Sequence, residues 1–170
     1  MGTATRLVSA LVRALAPSRR PSSSAPSHAP SRGIRSDEAT VDIAPPRRVA
    51  LQYAPERDGA PDGGEIVWTW VPYQEHDGRG KDRPVLVIGR RDATHSYAVR
   101  LTSKPHDGDR DYLALGSGAW DPQGRPSWVD VEQVYLVPDA AMRREAAALD
   151  RPRFDMVAAA LTARYGWRRV

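Results

Sequence analysis

From Glu65 to Val137 the chain alternates between short runs rich in β-branched and aromatic residues and polar breaks that contain Gly or Pro. This punctuation limits the fold more than any other feature. Each run has strand length, and each break carries turn residues. EIVWTWVPY (65–73) sends Ile66, Trp68 and Trp70 one way and Val67, Thr69 and Val71 the other, the period of a strand. RPVLVIG (83–89) is a continuous apolar run with Pro84 near its start, where a buried strand tolerates proline. SYAVRLTS (96–103) and YLALG (112–116) predict two more strands, and SWVDV (127–131) with QVYLV (133–137) predict one bent strand or two short ones. A helical stretch is expected from Pro138 or Asp139 to about Leu149. An amphipathic helix is expected over 153–165, with Phe154, Val157, Leu161 and Tyr165 on one side and Gly166 as its stop. The expected fold is mainly β with a C-terminal helix: a small curled barrel, one end covered by that helix.

Ahead of this region the composition differs. The chain has 170 residues and a formal charge of +4. Residues 1–60 hold nine Arg and five acids, whereas the rest is neutral, so the excess charge belongs to the N-terminal third. Residues 4–15 have helical periodicity with Leu7, Val8, Leu11 and Leu15 on one face, and 17–36 form a Ser/Pro/Arg-rich stretch read as disordered. Residues 37–60 read as a linker, giving expected divisions of 1–60 (arm and linker) and 61–170 (folded domain). Arg13 interrupts the apolar segment and argues against a secretory signal. Six Arg and no acid in 1–36 suit a transit peptide, a membrane-surface or nucleic-acid tether, or a dispensable extension. Cysteine is absent, which excludes disulfides, thiolate nucleophiles and cysteine-ligated zinc. No apolar run approaches the roughly 20 residues that span a bilayer.

Within the neutral domain, charge is polarised along the chain. Residues 79–104 hold seven cations against two acids, and 105–139 hold two against seven. The basic window contains Arg79, both lysines of the chain (Lys81 and Lys104) and Arg83, which stands where a polar loop enters a buried strand. Thr102 and Ser103 end a strand beside the second polar loop. A guanidinium gives phosphate two parallel hydrogen bonds, and hydroxyls donate to a nonbridging oxygen, so convergence of these loops would make a phosphate-binding rim. His76 and His106 lie one in each loop and are candidates for proton transfer or substrate binding, with Glu75 and Asp77 as further bases. Each has a plainer reading: Arg83 as one half of an ion pair, Thr102 and Ser103 as ordinary strand-end hydroxyls, the histidines as solvated loop residues. Trp68, Trp70, Trp120 and Trp128 read as core before they read as platforms for bases. No metal-ligand motif and no glycine-rich nucleotide motif occurs, so no cofactor is expected.

The order GEIVWTWVPYQEHDGRGKDRPVLVIG, then LTSK, then GAWDPQGRPSWVDVEQVYLV resembles the PemK/MazF family of toxins from type II toxin–antitoxin modules, over about residues 63–165. The WTWVPY segment is most similar to a longer, actinobacterial-type branch. The resemblance implies an SH3-like barrel that dimerises in the cytoplasm. It also implies a metal-independent endoribonuclease that cuts single-stranded RNA through its 2′-OH, leaving a cyclic phosphate and a 5′-OH, and that is neutralised by an antitoxin peptide. The positions matching the family's working Arg and Thr are Arg83 and Thr102, with Ser103 beside the latter. Lys81, Lys104, Arg79, His76 and His106 are the accompanying substrate-binding candidates. Two features depart from compact members: the 60-residue arm and the acidic HDGDRD (106–111) in the second loop. A non-catalytic barrel that binds nucleic acid or a protein is the alternative.

Overall fold

The computed structural model describes residues 39–56, 61–73 and 77–170, with 144–146 described by backbone alone. The expected N-terminal helix, the Ser/Pro/Arg stretch, Glu75 and His76 lie outside the described residues. Among those described, nine strands and one α-helix follow in order: β1 (Val41–Ile43), β2 (Ala50–Leu51), β3 (Glu65–Pro72), β4 (Gly80–Arg90), β5 (His95–Thr102), β6 (Tyr112–Gly116), β7 (Ser127–Pro138), β8 (Arg143–Ala148), α1 (Arg151–Tyr165) and β9 (Arg168–Arg169). The main sheet runs β1-β7-β5-β4-β3-β8, antiparallel throughout, with β6 also on β7. The architecture is mainly β with one C-terminal helix.

The sheet curls. Thr40, just before β1, places its hydroxyl 2.8 Å from that of Thr69 on β3, although three strands of the sheet lie between β1 and β3. The curl encloses one face, and α1 covers the other. One face carries Ile66, Leu86, Val99 and Leu101 and packs against Phe154, Val157 and Leu161 of α1. The concave face carries Val67, Val71, Val85, Val87, Ala98, Tyr135 and Val137, capped by Met142. Among the described residues no helix is long and apolar enough to cross a membrane.

The expected strands form, with two extensions. β4 begins at Gly80, since Lys81 and Asp82 pair with Val71 and Trp70 of β3. β7 is one bent strand. Two residues of β5, from Val99 to Leu101, span the five from Val134 to Val129, and the slack is taken up at Asp130, whose Oδ1 accepts the amides of Glu132 and Gln133 at 3.0 and 3.1 Å.

Two expectations are corrected. The helical stretch 138–149 is a single 3-10 turn (Asp139–Ala141) followed by β8. Its alanines favour helix by only a few tenths of a kcal/mol each, whereas pairing with the edge of β3 satisfies a row of backbone groups and buries Leu149 completely. Residues 37–60 are not simply a linker: β1 joins β7, Val49 and Leu51 enter the core, and the Tyr53 hydroxyl donates to the Leu149 carbonyl at 2.9 Å. Gly89 permits this, because a Cβ there would lie 2.3 Å from the Ala50 carbonyl oxygen. Helix α1 forms as expected, two residues longer at its start. Asp150 caps it by accepting the Arg153 amide at 3.0 Å, and Gly166 ends it at φ 70°.

Candidate functional site

The β4–β5 register decides where the candidate residues meet. Val85 faces Arg100, so two residues farther along each strand Arg83 and Thr102 come side by side. Alternation puts both on the concave-face side of the sheet, and Thr102 in turn pairs with Trp128 of β7. Arg83, Thr102 and Trp128 thus form a row across three strands at one end of the curled sheet.

A cleft of about 300 Å³ opens at these strand ends. Consecutive residues Lys81 to Pro84 and Leu101 to Lys104 line it, so the cleft wraps the ends of β4 and β5 and does not lie over one face. Trp68, beside Pro84 in the β3–β4 pair, also lines it, with Trp120, Asp121, Arg125 and Ser127. Among the described residues Lys81, Arg83 and Lys104 have no carboxylate partner, while the acids of the cleft are already engaged. Asp82 pairs with Arg143 at 2.5 Å and Asp121 with Arg125 at 2.7 Å. The Arg125 side chain, with the Gln123 amide, holds the Asp121 carboxyl below the usual range, which keeps it ionised and a weak base. The reading of Arg83 as one half of an ion pair therefore finds no support in the described structure.

Donors are in excess along the row. The Nε of Arg83, the Nε of Arg100 and the indole N–H of Trp128 are buried without an acceptor. A buried donor left unmade costs about 1–3 kcal/mol, and of the three residues only Arg83 lines the cleft, where a ligand's acceptor would meet its guanidinium. Thr102 is oriented by the Lys104 amide, which donates to its Oγ1 at 3.1 Å and leaves the hydroxyl hydrogen to point elsewhere. Arg100 keeps the row in place. Its guanidinium donates to Asp130 at 2.6 Å and to the Tyr112 hydroxyl at 3.3 Å.

The structure brings together Lys81, Arg83, Thr102, Ser103 and Lys104. Arg79 and His106 do not line the cleft. Arg79 is held by Asp77 at 2.6 Å, and His106 stacks on Tyr112 with ring centroids 3.5 Å apart and Nδ1 3.4 Å from Asp109. The acids of HDGDRD do not line it either; Asp111 is bound to Arg164 of α1 at 2.6 Å. Sequence reasoning missed Asp121, Arg125 and Ser127. Their region showed only turn residues, and nothing local says that the turn folds over the ends of β4 and β5.

A family model described as "PemK-like, MazF-like toxin of type II toxin-antitoxin system" matches residues 62–164. The chain belongs to this toxin family. The matched span includes every strand that lines the cleft. The search of curated proteins gives no match. Among solved structures, an endoribonuclease in complex with its cognate antitoxin from a mycobacterial species is 17% identical and covers 63% of this chain and 96% of its own, with a TM-score of 0.48. MazE–MazF from Deinococcus radiodurans is 20% identical over 64% of this chain and 99% of its own, with a TM-score of 0.46. The Mycobacterium tuberculosis toxin MazF-mt6 is 16% identical over 61% and 98%, with a TM-score of 0.44.

Proposed function

We propose that this toxin is a metal-independent endoribonuclease that cuts single-stranded RNA in the cleft between the ends of β4 and β5. One observation carries the reading: three cations without a carboxylate partner among the described residues (Lys81, Arg83, Lys104) and two hydroxyls (Thr102, Ser103) converge on one cleft. In the proposed reaction the ribose 2′-oxygen attacks the adjacent phosphorus, its proton leaves to a base, and the bond to the next nucleotide's 5′-oxygen breaks as that oxygen is protonated. The products are a 2′,3′-cyclic phosphate and a 5′-OH. Arg83 is the group placed to bind the phosphorane dianion, with Thr102 and Ser103 donating to a nonbridging oxygen. Lys81 and Lys104 hold the flanking phosphates, and the half-exposed Trp68 offers a face for a base. Asp82 and Asp121 are each tied to an arginine, and the Asp121 carboxyl is held below the usual range, which makes it a weak base. The candidates for the base are Arg83 itself and, from the sequence alone, Glu75 or His76.

The cognate antitoxin is read as an extended acidic peptide that occupies the same cleft, and the working protein as a cytoplasmic homodimer. Incubation of the full chain with a long single-stranded RNA in EDTA tests the chemistry. Fragments ending in cyclic phosphate and beginning with 5′-OH are expected. Fragments with 3′-OH and 5′-phosphate ends would contradict the mechanism. Binding without turnover, unchanged by Thr102→Ala, would identify a non-catalytic barrel instead.

A further inference from the structure

The cations of the described residues sort themselves. Most arginines are paired with carboxylates, on every side of the fold: Arg90 with Asp139, Arg100 with Asp130, Arg151 with Asp155, Arg164 with Asp111. Of those without a carboxylate, three are the cleft residues already named and one is Arg110. The other three, Arg47, Arg48 and Arg168, line a single second cavity of about 630 Å³, twice the size of the cleft. No Asp or Glu side chain lines it, and its one negative group is the main-chain carboxylate of Val170, so the three guanidiniums outnumber it. Three guanidiniums without a carboxylate partner around one cavity make its rim locally positive, which favours an anion there.

The cavity is built, not incidental. The buried indole N–H of Trp167 donates to the Pro46 carbonyl at 2.8 Å, which ties the Arg47–Arg48 segment to the end of α1. The Arg168 amide donates to the Val49 carbonyl at 3.3 Å, and β9 pairs with β2 in register, Ala50 beside Arg168. Segments 118 or more residues apart in sequence are thus locked so that their arginines share one rim. The one aromatic ring of the wall, Trp167, is buried and offers no face for a base. Such a rim recognises a phosphodiester backbone and not its sequence.

Its distance from the cleft can be read along β4. Lys81 lines the cleft, and Gly89 touches Ala50 of the second cavity. Six to eight strand residues separate Gly89 from Arg83 and Lys81, at most about 20–26 Å along the strand at about 3.3 Å each. That is the reach of at most about six to eight stacked nucleotides at about 3.4 Å each, within the 4–16 nucleotides that single-strand grooves commonly engage.

We propose that Arg47, Arg48 and Arg168 form a second, sequence-independent site for the RNA backbone, holding the strand several nucleotides away from the scissile phosphate. It rests on the RNA reading of the cleft, yet its test does not depend on cleavage. The probe is oligo(dT) of 20 nucleotides, which lacks the 2′-OH and cannot be cut by the proposed route. Its binding to the full chain is measured against salt for the parent and for the triple variant Arg47→Gln, Arg48→Gln, Arg168→Gln. Loss of three phosphate contacts is expected to make the log K against log salt slope shallower by about 2, at about 0.7 per phosphate. If the triple variant does not fold, the double variant Arg47→Gln, Arg48→Gln, which lies outside any strand, should lower the slope by about 1.4. An unchanged slope overturns the proposal, even if the protein cleaves RNA. A shallower slope upholds it, even if no RNA is cleaved. A 20-residue polyglutamate that weakens with the substitutions while oligo(dT) does not would make the occupant an acidic protein, which also overturns it.

Discussion

Asp130 shows how much one residue carries. It is 3% exposed, accepts two amides across the bend of β7, and holds Arg100 at 2.6 Å. Replacing it by Ala strands a buried guanidinium and opens the bend. Breaking a buried pair from one side costs about 3–5 kcal/mol, and a denaturant melt of Asp130→Ala should show a loss of that order. A loss under about 1 kcal/mol would mean that Arg100 finds another partner. Gly89 works through the backbone. Ala there would set a Cβ against the Ala50 carbonyl, so Gly89→Ala is expected to destabilise by about 1–3 kcal/mol, measured the same way. Arg83 and Thr102 were visible as candidates because R-P and the strand-final Thr-Ser stand at strand ends beside polar loops. Trp128 reads from the sequence only as core or as a platform for a base, because an unpaired indole N–H depends on neighbours that no local pattern names.

At the level of elements, legibility followed local pattern. β3 to β7 are short apolar or alternating runs bounded by turn residues, and they appear within a few residues of their expected bounds. α1 carries its own start and stop, Asp150 and Gly166. β8 carries no such signal. Its sequence favours helix, and only the open edge of β3 makes it a strand. β1 and β2 are two or three residues long among prolines, and their partners are more than 90 and more than 115 residues away. Because Tyr53 fastens this segment to Leu149, Tyr53→Phe should lower stability by about 1 kcal/mol in urea unfolding. No change would show that the hydroxyl is equally well served by water.

For the whole molecule, charge has two separate meanings. The excess of +4 lies in the first 60 residues, whereas among the described residues arginine is mostly bound to carboxylates, and apart from Arg110 those without one line the two cavities. The concave core adds a pH limit. Burial pushes the Tyr135 hydroxyl up to about 12, above the usual value near 10. The folded state therefore keeps a proton that the unfolded chain loses. Tyr135 contributes stability that is full below about pH 10 and lost as pH rises toward 12. Alkaline melts should show that decline, and Tyr135→Phe should flatten it. An equally steep decline in Tyr135→Phe would place the cause elsewhere.

The cleft at the ends of β4 and β5 is most directly tested by the rate at which Arg83→Ala and Thr102→Ala cleave single-stranded RNA in EDTA, relative to the parent chain at equal folded concentration. Each variant should keep the parent's thermal transition and lose about 100-fold or more in rate, the usual effect of removing one donor from a developing anion. Cleavage by both variants at the parent's rate would place the chemistry outside this cleft.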